Sequence, residues 1–329
     1  MKHDNPPPPG AEGPSAAVAT RGRAPLLTTG APLSRRRLSG VSANSTWWFL
    51  IPAMLVYAFV ILVPSARGVG YAFTDWDGLS PSSSFSGTDN FQMFFHDSDA
   101  IDAVWHTLVI AVANMVIQNV LGLLLALGVN TQIKTGKLLR VLFFAPAVMT
   151  PIVTAYLWRN LLSGDGAVNT LLGAVGLGGL EQSWLGDSDV VLWSIVFILT
   201  WQFAGYSMVI FLAGLQSIPP DIYEASDLDG AGPIRRFWYI TRPLLAPAFT
   251  INLTLSMIGG IKLFDQVYGL TGGGPGTASQ TITSWIVKNA FLLGEFSYAS
   301  ALAVILTVIV AAASIFQYVF LARSERKMS

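Results

Sequence analysis

The decisive stretch is Val190-Val-Leu-Trp-Ser-Ile-Val-Phe-Ile-Leu-Thr200-Trp-Gln-Phe-Ala-Gly-Tyr-Ser-Met-Val-Ile210-Phe-Leu-Ala-Gly-Leu215. No Asp, Glu, Lys or Arg interrupts it. As a helix it is long enough for a hydrocarbon core of about 30 Å, which needs about 20 residues. Only a helix lets such a segment satisfy its own backbone in lipid. Five more stretches read the same way: Trp47–Ser65, Val104–Val129, Leu138–Trp158, Pro243–Phe264 and Tyr298–Ala322, none with an interior Asp or Glu. The expectation is an all-α integral membrane protein with six transmembrane helices. Composition agrees. Of 329 residues, 52% are hydrophobic and 12% charged, against about 25% charged in soluble proteins. Mean hydropathy is +0.54. Trp47, Trp48, Trp158, Trp193 and Tyr318 fall near expected span ends, where aromatic side chains anchor to the interface.

Orientation follows from Lys and Arg. With the N-terminus inside, segments 1–46, 130–140, 216–242 and 323–329 face the cytoplasm and hold 15 of the 19 basic residues. Only Arg67, Arg159, Lys262 and Lys288 fall elsewhere. This asymmetry places both termini inside. Residues 1–45, with consecutive prolines Pro6 to Pro9 and no apolar periodicity, read as a disordered cytoplasmic tail, and residues 323–329 as a short one. The long leader before Trp47 and the full-length apolar stretch argue for an uncleaved helix rather than a signal peptide. The outer loops are 66–103, 160–189 and 265–297. The first, with Trp76, Phe85, Phe91, Phe94 and Phe95, reads as a partly ordered cap, too short for a core of its own.

Several function classes drop out. Net charge is zero, so no basic field recruits nucleic acid. There is no cysteine, and His3, His96 and His106 are too scattered for a metal site. No Gly-x-Ser-x-Gly, His-Glu-x-x-His or intramembrane carboxylate pair offers catalysis. The glycine run at Gly272–Gly276 lacks the lysine of a phosphate-binding loop and reads as a flexible outer loop.

The loop 216–242 carries the most information. Pro219 and Pro220 suit a helix start, and Asp221 and Glu224 complement its dipole. Ile222, Ala225 and Ser226 form a short face of apolar and small residues. Gly230-Ala231-Gly232 breaks the helix as a hinge, Pro233 starts a second with Arg235, Arg236, Phe237 and Trp238, and Pro243 opens the fifth span. The shape fits a groove on another protein, and it equally fits an ordinary solvated helical loop.

Glu224-Ala225-Ser226, Gly230, Ile240 and Pro243 resemble the EAA loop of the membrane subunits of bacterial ABC importers, whose pattern is Glu-Ala-Ala, Gly at +6, Ile at +16 and Leu-Pro at +18 and +19. The string from Tyr223 to Pro233 is similar to the carbohydrate-uptake branch, maltose-type, as are Leu270-Thr-Gly-Gly-Gly-Pro275 and Gly87-Thr-Asp-Asn90-Phe91. The resemblance covers about residues 45–322. Ser226 stands for the second Ala and Arg242 for the Leu. It implies a type I ABC importer permease domain over 46–322, in a prokaryotic plasma membrane, that translocates a sugar. It also implies a second homologous permease subunit, two ATPase subunits carrying ATP and Mg, and an extracytoplasmic sugar-binding protein. This chain would bind no cofactor. Tyr223, Glu224, Ala225, Ser226, Asp229 and Gly230 would form the ATPase-coupling element. Glu224 would meet a basic residue, Ala225 and Ser226 would allow close approach, and Gly230 would permit the turn.

Polar residues inside spans are costly and therefore informative. Gln202 and Tyr206 in the fourth span, and Asn252 and Ser256 in the fifth, are i, i+4 pairs, with Phe203 alongside and Gly259-Gly260 following. The resemblance makes Gln202, Phe203, Tyr206, Asn252, Ser256, Gly259 and Gly260 a substrate pathway for an uncharged polyol. The same residues could instead bond helix to helix. Asn114, Gln118 and Asn119 in the second span read first as such glue. Lys262 and Asp265 read as a local surface pair or a gate contact. The alternative function is a self-sufficient carrier or channel, which would be expected to show an intramembrane ionisable residue or an inverted repeat. A membrane-embedded enzyme would need a catalytic constellation.

Overall fold

The computed structural model describes residues 43–131 and 135–328. Residues 1–42 of the expected tail, residues 132–134 with Lys134, and Ser329 lie outside the described residues. So do the side chains of 43–47, 49 and 322–328, among them Trp47, Arg323, Arg326 and Lys327. The chain divides into two units, Met1–Val56 and Tyr57–Ser329. The first is described only from Ala43, within helix α1 (Ala43–Tyr57).

The second unit is built of helices. These are α2 (Val63–Tyr71), α3 (Asp89–His96), α4 (Ser98–Val129), α5 (Gly136–Val148), α6 (Pro151–Leu161), α7 (Ala167–Ala174) and α8 (Val191–Gln216). They continue as α9 (Pro220–Leu228), α10 (Pro233–Leu244), α11 (Ala246–Ile261), α12 (Asp265–Leu270), α13 (Ile282–Leu293) and α14 (Phe296–Met328). Among the described residues the only β pairing is an isolated antiparallel bridge, Thr74 to Phe85.

Four helical segments are long and apolar enough to cross a membrane, and six crossings result only if two bent pairs each count as one. The expected third span is broken: α5 and α6 meet at 96°. Pro151 disfavours helical geometry in the residue before it, and Met149 and Thr150 are both extended, with ψ of 140° and 141°. The fifth span is also displaced. Pro243 does not open it; α10 runs on through Leu244, and α11 starts at Ala246 after a 70° bend. Just before Pro243, and again before Pro64, the helix widens into a π turn. Arg242 N–H reaches Phe237 O, and Val63 N–H reaches Ala58 O. Proline has no N–H and its ring pushes on the preceding turn, which a wider turn accommodates.

α4 is the centre of the unit and contributes to all three apolar clusters. Ile110 packs with Ile195 and Ile198 of α8 and Val267 of α12. Ala126 and Val129 pack with Met208 and Phe211 of α8 and Ala248 of α11. Ala100 and Ala103 pack with Trp285 of α13 and Leu302 of α14. Lipid tails are as apolar as leucine, so burial alone does not drive these helices together. Close packing and interhelical hydrogen bonds must. The packing is close enough that a Cβ on Gly205 of α8 would run into the carbonyl oxygen of Phe143 in α5.

The loops expected on the outer side are folded onto this unit. Asn90 Nδ2 donates to Ala72 O and Thr74 O at 3.0 and 2.8 Å. The Asp97 carboxylate accepts from Ala100 N–H, Trp285 Nε1 and Tyr298 Oη, tying α4, α13 and α14 together. Hydrogen bonds from Ser80, through both its N–H and its hydroxyl, and from Leu79 N–H hold the Asp77 carboxyl down at about 2. The glycine run is no loose loop. Gly273, Ser279 and Gln280 are buried, and Ser279 Oγ donates to Gly274 O at 2.6 Å.

A Gly205→Val substitution sets a branched side chain against backbone that cannot swing aside, and overpacking of this kind costs about 1–3 kcal/mol. The variant is expected to melt at a lower temperature in detergent. Gly128→Ala, whose added Cβ meets nothing, is expected to melt no lower than the parent. Equal melting of Gly205→Val and the parent would remove the α5–α8 contact as a determinant of stability.

Candidate functional site

α4, α8 and α11 converge around a cavity of about 430 Å³. The residues that close it include six that the sequence singled out. Phe203 and Tyr206 come from α8, and Asn252, Ser256, Gly259 and Gly260 from α11. Tyr206 is 44% exposed, and its hydroxyl has no hydrogen-bond partner among the described residues. Asn252 and Ser256 are buried and engaged. Asn252 Nδ2 donates to Ser207 O at 3.2 Å, and Ser256 Oγ donates to Asn252 O at 2.7 Å. These side chains tie helices together and also line the space.

Gln202 departs from its expected place. It is fully buried and does not line the cavity. Its Nε2 donates to Met149 O at 3.0 Å, a carbonyl left free where α5 breaks from α6. Its Oε1 accepts from Gln266 Nε2 at 3.2 Å. Gln266 is a cavity residue, so Gln202 positions the wall from behind. Sequence reasoning passed over Gln266, which lies just beyond the fifth span and was not counted as an intramembrane polar group.

The second-span amides do more than glue. Asn114 Nδ2 donates to Gln118 Oε1 at 2.9 Å, and Gln118 Nε2 to Ser207 Oγ at 2.8 Å. Thr200 Oγ1 donates to Asn114 Oδ1 at 3.2 Å, and Asn119 Nδ2 to Ser256 Oγ at 2.9 Å. The first lies within α4 and the other three join α4 to α8 and α11. Interhelical bonds in lipid are worth about 0.6–2 kcal/mol each, so the set is a substantial part of the packing energy. Asn114 and Gln118 also line the cavity. Gly260 owes its size to packing, because a Cβ there would lie 2.7 Å from Ala111 Cα. Gly259 faces open space. Lys262 and Asp265 are both exposed at the cavity rim. They form no ion pair with each other among the described residues, so they are not the local pair expected.

The second candidate surface is α9. Pro220 takes its first position, as expected. The inward face differs from the expected one. Ile222 and Tyr223 pack against the α8 cluster, and Ser226 is buried at 4% exposure, its Oγ donating to Tyr223 O at 2.7 Å. A small side chain is therefore required at Ser226 by this chain's own packing, which also explains how Ser can stand for Ala. Ala225 points outward instead, and Asp221, Glu224, Ala225 and Leu228 form an exposed stripe at i, i+3, i+4 and i+7. Leu228 is 90% exposed and lay outside the expected face.

The helix closes in a tight C-terminal motif. Gly230 N–H donates to Asp227 O and Ala231 N–H to Ser226 O, with Gly230 at φ +70° after the cap residue Asp229. This arrangement favours glycine because a Cβ is strained in the left-handed region. Gly230 is thus a locked corner rather than a hinge. α10 is clamped to α9 by Arg236, whose Nη1 donates to Asp227 Oδ1 at 2.6 Å and whose guanidinium lies 5.7 Å from the Tyr223 ring centre. Tyr223 Oη also lies 3.4 Å from Thr241 Oγ1.

Comparison with known proteins places this geometry. Residues 118–329 match the family described as binding-protein-dependent transport system inner membrane component. The "Probable starch degradation products transport system permease protein AmyD" of Thermoanaerobacterium thermosulfurigenes is 36% identical, over 86% of this chain and 95% of its own. The multiple sugar-binding transport system permease protein MsmF of Streptococcus mutans is 33% identical, over 82% and 93%. The lactose transport system permease protein LacF of Rhizobium radiobacter is 32% identical, over 90% and 100%. In fold the chain is similar to one from a bacterial ABC transporter involved in the import of the acidic polysaccharide alginate, with a TM-score of 0.75 and 22% identity over 84% of this chain and 95% of that one. The chain belongs to the binding-protein-dependent inner membrane components, the multi-pass permease subunits of ABC importers.

Proposed function

We propose that this subunit passes a sugar, mono- to oligosaccharide, through the cavity between α4, α8 and α11. The observation that carries the reading is the Tyr206 side chain, whose aromatic face and unpartnered hydroxyl stand in that cavity among amides. An uncharged polyol needs a stacking surface, donors and acceptors without net charge. The relatives named for starch degradation products, multiple sugars and lactose support it. In this reading an extracytoplasmic binding protein delivers the sugar to the rim at Lys262 and Asp265. A second, homologous permease subunit completes the pathway.

The motor is separate. Two ATPase subunits bind ATP and Mg and seat on the exposed stripe of α9, with Glu224 paired to a basic residue of the ATPase. Asp229 and Gly230 shape the end of that seat, and Tyr223 and Ser226 hold it to the bundle. Residues 46–322 form the permease domain, with segments 1–45 and 323–329 on the cytoplasmic side of a prokaryotic plasma membrane. Each partner shifts the permease only through its differential affinity for the two access states.

Tyr206→Ala and Gly259→Leu are expected to lower sugar uptake by the reconstituted importer by tenfold or so, about 1.4 kcal/mol, with ATPase assembly unchanged. Uptake at parental rates in both would exclude the cavity as the pathway. Glu224→Ala strands its basic partner in the interface, at a cost of about 2–5 kcal/mol. It is expected to weaken ATPase association by more than tenfold in a pull-down titration. Gly230→Val, which forces a branched residue into left-handed geometry, is expected to uncouple ATP hydrolysis from uptake. Unchanged association in the first variant and unchanged coupling in the second would refute the seat on α9. Uptake by this chain alone, without ATPase subunits, would favour a self-sufficient carrier.

A further inference from the structure

α10 carries a feature that neither the cavity nor the α9 seat uses. Its inward face is Phe237, Ile240 and Thr241. Its outward face is Ile234, Arg235, Trp238, Tyr239 and Arg242, with Ile234 78%, Trp238 54% and Tyr239 77% exposed. Arg242 lies over the Trp238 ring, 5.2 Å from its centre. Arg235 shares an open hollow with Trp238 and Tyr239. Among the described residues neither Arg235 nor Arg242 has an ion-pair partner, whereas Arg236, between them, is spent on Asp227. Asp229 lines a second hollow beside Arg235 but does not reach it.

The position of this face decides its partner. One residue, Leu245, separates α10 from α11, and the chain bends by 70° there. α11, the apolar half of the fifth span, starts at Ala246 and presents Ile251, half exposed and apolar, away from the cavity that Leu255 lines. The bilayer therefore begins about one turn beyond Arg242, and α10 turns off the span direction at its surface. Guanidinium beside indole and phenol at that depth matches the headgroup layer, where aromatic rings sit at the interface and basic side chains attract anionic lipid. A protein partner fits less well. The adjoining α9 stripe carries Asp221 and Glu224, and a surface basic enough to pair with them would repel Arg235 and Arg242.

We propose that Arg242, Trp238, Arg235 and Tyr239 form a binding site for the headgroup of an anionic phospholipid at the membrane surface where α11 begins. Arg242 is the chief ligand. It stands where the EAA pattern has Leu.

The test uses the full-length chain in nanodiscs of phosphatidylcholine containing a fixed fraction of chain-brominated lipid, either phosphatidylglycerol or phosphatidylcholine. Quenching of Trp238 is read as the difference between the parent and Trp238→Phe. A basic residue near an anionic surface gains about fivefold in local lipid preference. Brominated phosphatidylglycerol is therefore expected to quench Trp238 several-fold more than brominated phosphatidylcholine. The preference should vanish in Arg242→Leu, which restores the family residue and so should not disturb folding. It should persist in Arg242→Lys and weaken in Arg235→Gln. Equal quenching by the two lipids in the parent overturns the proposal, as does a preference that survives Arg242→Leu. Absence of quenching by either lipid overturns it too, because the face would then be covered by protein or lie in water.

Discussion

A polar group inside a bilayer has no water to fall back on, and the whole bundle is arranged around that constraint. Asn114, Gln118, Asn119, Asn252 and Ser256 would each be expensive alone in hydrocarbon. Together they bond across α4, α8 and α11 and so specify which faces of three otherwise greasy helices meet. The cavity is the remainder of that arrangement, a mostly apolar space into which a few of the same polar side chains project. Asn114, Gln118, Asn252 and Ser256 thus both hold the bundle and line the cavity.

The same constraint explains Gln202. Breaking a helix within the apolar region frees carbonyls, and Met149 O is taken up by an amide from the neighbouring helix. That amide is fully buried, so the break is stabilised where a kink facing lipid would not be. The broken segment brings Pro151 and Ala147 to the cavity wall, so the break shapes the site.

Much of this was legible in the sequence because it rests on local chemistry. Charge-free runs announce helices in lipid, prolines at 219 and 220 announce a helix start, and the EAA spacing announced the family before any comparison. Six of the seven expected pathway residues meet at one cavity: Asn252 and Ser256 share its wall as their i, i+4 spacing implies, whereas of the pair Gln202 and Tyr206 only Tyr206 reaches it. What could not be read depends on partners distant in sequence. Nothing in the order of residues says that Gln202 turns to Met149, that Gln266 completes the wall, or that Lys262 and Asp265 stand apart. Nor does the face of α9 follow from its pattern. Ser226 is buried and Ala225 exposed because Tyr223 and Ile222 dock on α8, a tertiary choice between two faces of similar apolarity. The spans broken or displaced at Pro151 and Pro243 show the limit of hydropathy: it counts apolar residues but not the missing amide hydrogens that redirect a chain.

The corner at Gly230 has a mechanical meaning. Its two backbone bonds fix the turn and the half-exposed Asp227–Arg236 pair spans it, so α9 and α10 are joined by a set corner rather than a tether. If α9 is the seat of the motor, a displacement there would be carried along α10 to the 70° bend at Leu245.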